Sequence, residues 1–170
     1  MEFTAVLDAR YSCRAFSDQA VDDADLTRLL EAARIAPTSL GQQEQHIYVV
    51  RKAEDLEKLD GLTTCRYGAP LALLVTYDRR DVYRYPGRVY NSGIEDASIT
   101  LTYLMLAATD AGLATCWVNA FDPDATAEAF NLPKDEELVA ILDVGHPAPA
   151  AQPGPKHSKH KALDRLVTYL

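Results

Sequence analysis

Pro70-Leu71-Ala72-Leu73-Leu74-Val75-Thr76-Tyr77 is a nearly unbroken apolar run of strand length. Runs of this kind belong to strands covered on both faces, so it reads as the centre of a sheet with a layer on either side. Further strands are expected at 46–51, around Ile47, Tyr48, Val49 and Val50, at 114–118 and at 138–144. Helices alternate with them. Residues 3–9 read as a short helix. Val21-Asp22-Asp23-Ala24-Asp25 opens another, capped by Asp22, with Leu26, Leu29, Leu30 and Ala33 at core-facing spacing before Pro37. Residues 53–60 and 124–130 read as shorter ones. Ser92-Gly93-Ile94-Glu95 matches the S-x-x-E capping box. It opens a helix of about 20 residues that stops near Gly112 and is apolar on most sides. That order predicts an α+β or three-layer αβα domain with four or five strands, spanning 1–170 as a single unit.

Composition narrows the function classes. Hydrophobic residues make up 48% and charged residues 25%, as in ordinary globular proteins. A formal net charge of −8 speaks against nucleic acid or an anionic membrane as the partner. No apolar stretch reaches the length of a membrane span, and Met1-Glu2-Phe3-Thr4 lacks the basic and apolar regions of a signal peptide, so a cytoplasmic protein is expected. Cys13, Cys65 and Cys116, and His46, His146, His157 and His160, show no ligand spacing, so no metal is expected.

Against this acidic background Arg10-Tyr11-Ser12-Cys13-Arg14-Ala15-Phe16 stands out. Arg10, Ser12 and Arg14 alternate, so in an extended segment their donors point one way and fit one anion; a solvated turn is the alternative. Ala36-Pro37-Thr38-Ser39-Leu40-Gly41-Gln42-Gln43 is a polar loop, read as a capped turn or as a site for a heteroaromatic edge or a phosphate. The irregular segment 78–91, with Tyr83, Tyr85 and Tyr90, reads equally as a lid over a flat substrate, as packing or as a subunit contact. Residues 148–161 form an extended arm that ends in an apolar piece around Leu163, Leu166, Val167 and Leu170. Neither a G-x-G-x-x-G loop nor a Walker loop is present.

Taken in order, these pieces resemble the small FMN-dependent nitroreductase family over nearly the whole chain. Residues 10–16 resemble its R-x-S-x-[RK]-x-F opening. Ala36-Pro37-Thr38-Ser39 to Gln43 resembles its A-P-S-S-x-N-x-Q loop. Ile94-Glu95-Asp96-Ala97 through Leu113-Ala114-Thr115-Cys116-Trp117 resembles its central helix and following strand. The resemblance implies a nitroreductase-like three-layer αβα sandwich with a mixed sheet. It also implies a homodimer with FMN at the subunit interface, the arm 148–170 packing on the partner. Arg10, Tyr11, Ser12 and Arg14 would hold the phosphate and nearby flavin edge. Pro37, Thr38 and Ser39 would reach the FMN of the other subunit, and Gln43 of the same motif would also bind the cofactor. Backbone N–H groups at Asn119 and Ala120 would face the flavin N5 side. The arm's basic group would fall on His160, with Lys159 and Lys161 beside it. The chain departs from the family pattern at Gly41, where the family often has Asn, at Glu44 and Gln45, which replace Pro-Trp, and at Asn119, which replaces Gly. The implied activity is a ping-pong transfer of hydride from NAD(P)H through FMN to a flat small-molecule acceptor, a nitroaromatic or quinone. Gly41, Tyr83, Tyr85 and Tyr90 would line the acceptor site. The alternative is a non-catalytic FMN-binding protein for storage or regulation.

Overall fold

The structure, a computed structural model, describes residues 1–87 and 90–170. Residues 88 and 89, toward the end of the 78–91 segment, therefore lie outside the described residues. The apolar run forms β2 (Leu71–Asp78), buried along almost its whole length because both faces of the sheet are covered. It pairs with β1 (Gln45–Val50) on one side and β4 (Glu136–Gly145) on the other, and β3 (Ala114–Val118) closes the order β1-β2-β4-β3. One layer holds α2 (Asp23–Arg34) and α4 (Gly93–Asp110), whose Leu29, Ala33, Leu101 and Leu104 pack on Leu71, Leu73, Val75 and Leu142. The opposite layer brings Leu59 of α3 (Ala53–Asp60) against Val50, Leu74 and Ile141, with Phe130 at the end of α5 (Pro123–Ala129) beside it. α1 (Phe3–Ala9) lies against α4. This is the expected three-layer αβα arrangement. No helix of the described residues is long and apolar enough to cross a membrane.

Two expectations need correction. The sheet is not mixed: all three strand ladders are antiparallel, and the parallel pairing described is the isolated bridge between Ser12 and Thr115. α3 and α5 sit inside hairpin-like returns, β1 to β2 and β3 to β4, instead of parallel crossovers. The capping box at Ser92–Glu95 does not form either. Ser92 has helical φ/ψ and its side chain caps nothing. Its hydroxyl donates instead to Asp96 at 2.6 Å, while Asn91 Oδ1 accepts from the Gly93 N–H at 2.9 Å and serves the helix start. Asp22, by contrast, caps α2 as expected, accepting from the Asp25 N–H at 2.7 Å.

Candidate functional site

The Arg-Ser-Arg stretch is held between two parts of the chain remote from it in sequence. The Cys13 N–H donates to Thr115 O of β3 at 2.9 Å. Further on, the Ser17 N–H donates to His146 O at 2.9 Å and the Ala148 N–H to Ala15 O at 3.0 Å. The segment is thus extended along the sheet edge at β3, and Arg10, Ser12 and Arg14 line one cleft, as their alternation requires. The cleft measures 580 Å³ and is shared with Gln152, Gly154, Lys156 and His157 of the arm. A Cβ on Gly154 would meet Arg14 Nη1 at 3.2 Å, so glycine leaves that guanidinium its room. Tyr11 stands edge-on to His157, ring centroids 6.5 Å apart, and burial, then the Cys13 thiol, push its hydroxyl above the usual range. Arg10, Arg14 and Lys156 thus set three cations around one cleft on an acidic chain. An anion with several oxygens suits it, and the ribityl phosphate of FMN fits that description.

The expected arm residues Lys159, His160 and Lys161 are exposed and do not line the cleft; Lys156 and His157 do. A turn explains the offset. The His157 N–H donates to Gly154 O at 2.8 Å, folding the chain back in a turn that begins within Pro153-Gly154-Pro155. That Pro-Gly-Pro punctuation was legible beforehand as a turn signal.

The other predicted residues gather elsewhere, around the first turn of α4. The Ser39 N–H and hydroxyl both donate to Asp96 Oδ1, at 2.9 and 3.3 Å. The Gln43 N–H donates to Thr38 Oγ1 at 3.0 Å, and the Gln43 side-chain amide to Arg34 O at 2.7 Å. Leu40, Gly41 and Gln43 all adopt positive φ, so the loop is tightly wound where only Gly41 does so freely. Pro37 is exposed. One residue earlier on α4, Glu95 accepts the Tyr85 hydroxyl, whose pKa that bond pushes up to about 12. Tyr85 packs against Tyr83 at 5.5 Å and Tyr90 at 5.1 Å between ring centroids. Consecutive acids of α4 thus hold the polar loop and the aromatic segment. In the sequence Glu95 reads as part of a helix cap, and nothing local marks Asp96 as a fixing point.

Asn119 and Ala120 are exposed at the far end of β3. Asn119 Oδ1 accepts from Trp117 Nε1 at 2.7 Å, and Ala120 O accepts from the Thr63 hydroxyl at 2.7 Å. Cys13 and Cys116 are buried packing thiols, and burial pushes Cys116 up to about 11, which removes it as a nucleophile. No cluster of metal-ligating side chains occurs among the described residues.

The nitroreductase family model matches residues 7–67 and 65–146, most of the chain. The chain belongs to the nitroreductase family. This membership makes it an oxidoreductase. A solved nitroreductase family protein from Clostridium difficile is 36% identical, with a TM-score of 0.92 over 99% of this chain and 98% of the other. A second solved relative, from Desulfovibrio desulfuricans and crystallised in complex with FMN, is 26% identical with a TM-score of 0.83, covering 100% of this chain and 97% of its own. The Bacillus subtilis FMN reductase [NAD(P)H] is 27% identical over 177 residues, covering 94% of this chain and 71% of that protein.

Proposed function

We propose that this nitroreductase-family protein is an FMN-dependent oxidoreductase that works as a cytoplasmic homodimer on a flat, electrophilic small molecule such as a nitroaromatic or quinone. The observation that carries the reading is the cleft where Arg10, Ser12, Arg14 and Lys156 converge beside a glycine at 154. From Thr115, next to that cleft, to Asn119 at the end of β3 is roughly 13 Å of strand. The ribityl phosphate and the ring it carries together span such an interval, which supports Asn119 and Ala120 as neighbours of the ring. Bound there, FMN would take hydride from NAD(P)H and return it to the acceptor in a ping-pong cycle, the redox chemistry being the cofactor's own.

The chain's residues do the rest. Arg10 and Arg14 supply fixed, always charged forks for phosphate oxygens, and Ser12 adds a hydroxyl donor. Tyr83, Tyr85 and Tyr90, joined to α4 through Glu95, offer an aromatic wall for a flat acceptor, with Gly41 in the neighbouring loop. The loop anchored by Asp96 does not line the arginine cleft. Its contribution, and that of Pro37, Thr38, Ser39 and Gln43, therefore goes to the FMN of a second subunit. A dimer is supported by the apolar surface left uncovered. Phe3 is 67% exposed, Ile35 65%, Leu40 81% and Leu163 71%, with Leu166 and Leu170 beyond it in the arm. The arm beyond His157, with Lys159, His160 and Lys161, lies over the partner in this reading.

The test is anaerobic stopped-flow spectroscopy of FMN-loaded protein. Bleaching of the flavin band by NADH or NADPH, and its return on adding a quinone, is expected. A yellow protein that neither nucleotide reduces would defeat the reductase reading and leave a flavin-binding protein in its place.

A further inference from the structure

Close to the α4 turn lies a buried acid with no part in this scheme. Glu44 is 8% exposed, and both its carboxyl oxygens are buried without a hydrogen-bond partner among the described residues. Its backbone is pinned, since Glu44 O accepts from the Asp78 N–H at 2.9 Å. The charged groups that act on its side chain are acids: Asp96 from α4 and Asp81 from the segment after β2. A buried carboxylate without donors is costly, and a like charge beside it adds to the cost. Burial first, then Asp96, push Glu44 up to about 7. Asp96, 2% exposed, is by contrast fully engaged, accepting from Ser39 and from the Ser92 hydroxyl.

We propose that Glu44, protonated behind the Asp96 carboxylate, is a positioning residue for Ser39, and that its ionisation releases the Thr38–Gln43 loop. With one negative charge at the site, Asp96 is free to hold the Ser39 N–H and hydroxyl. A second charge would meet no donor beyond the Glu44 backbone N–H, which does not offset its burial. β1 and the buried face of α4 are fixed by the core, so the relief falls on the exposed loop, where Leu40 and Gln43 already sit at positive φ. The link to flavin rests on the FMN reading above; the link from Glu44 to Ser39 does not.

The two are separated by experiment. In the full-length apoprotein, the Ser39 amide resonance is followed by NMR from pH 5.5 to 8.5. It is expected to move with a midpoint near 7. In Glu44→Gln, which keeps the shape and cannot ionise, it is expected to stay still. An equal titration in both proteins, or none in either, overturns the proposal. FMN affinity by fluorescence quenching is the second arm. One pH unit above the midpoint only about a tenth of the molecules keep the competent loop, so wild type should bind FMN up to about tenfold more weakly at pH 8 than at its acid limit. Glu44→Gln should bind equally at both. A pH dependence shared by wild type and Glu44→Gln overturns the coupling. Absence of FMN binding at every pH defeats the flavin reading alone, and the Ser39 titration still decides the pair.

Discussion

Replacing Arg10 and Arg14 together by alanine removes two of the cations that line the cleft and leaves Lys156. A hydrogen bond to a charged partner contributes roughly 1.5–3 kcal/mol when it is well desolvated. Arg10 is half-buried and Arg14 exposed, so each belongs at the lower end of that range. The pair together then contributes about 3 kcal/mol, or roughly a hundredfold in Kd. The assay is titration with FMN and, in parallel, with riboflavin, which carries the same ring without the phosphate. Wild type should prefer FMN, and that preference should shrink as salt is added, because the anchoring charges border solvent. The double variant should lose about two orders of magnitude for FMN, keep its riboflavin affinity, and respond less to salt, with only Lys156 left to be screened. Equal losses for both ligands would mean that the arginines hold the scaffold. An unchanged preference for FMN would place the phosphate elsewhere and refute the reading of the cleft.

Other outcomes follow from the same geometry. Lys156→Ala should weaken FMN binding more than the triple replacement of Lys159, His160 and Lys161 by alanine, since Lys156 alone of these lines the cleft; the same titration checks it. Arg66 is 3% exposed and bonds Asp143, itself 0% exposed, at 2.6 Å. Asp143→Asn should cost about 3 kcal/mol in urea unfolding, because it leaves a buried guanidinium that cannot shed its charge with only the exposed Asp60 carboxylate, 3.1 Å from its Nε, as counter-ion. Arg66→Met should cost less, because burial already pushes the Asp143 carboxyl up to about 7 and a proton can neutralise it. Glu44 binds its proton in the native state up to about pH 7 but in the unfolded chain only near its ordinary 4.5. Its contribution is therefore full below 4.5, is lost as pH rises to about 7, and changes no further above that. Glu44→Gln should flatten that decline, by up to about 3 kcal/mol across the window, in melts of the apoprotein. Gly93→Ala drives a Cβ into the ring of Tyr77 and should destabilise by about 1–3 kcal/mol in thermal unfolding.

What the sequence determined by itself was most of what is set within a few residues. The apolar run of β2, the Asp22 cap and the order of helices and strands express periodicity and local hydrogen bonding, which act over one or two turns. The convergence of Arg10, Ser12 and Arg14 was legible for the same reason, because alternation along an extended segment aims all three side chains one way. What only the tertiary structure decided was which distant groups meet. Ser92 looks like a helix cap in sequence, yet Asp96, buried beneath it, takes its hydroxyl and binds Ser39 from 57 residues away. Lys156, not His160, joins the arginines, because hydrogen bonds from Ala148 to Ala15 and from His157 to Gly154 settle how far the arm has travelled when it passes the cleft. The proton on Glu44 is the clearest case. Glutamate is ordinarily charged and exposed, and nothing beside it in the chain says otherwise; the closure of the core around it, with Asp96 and Asp81 for neighbours, is what makes ionisation costly.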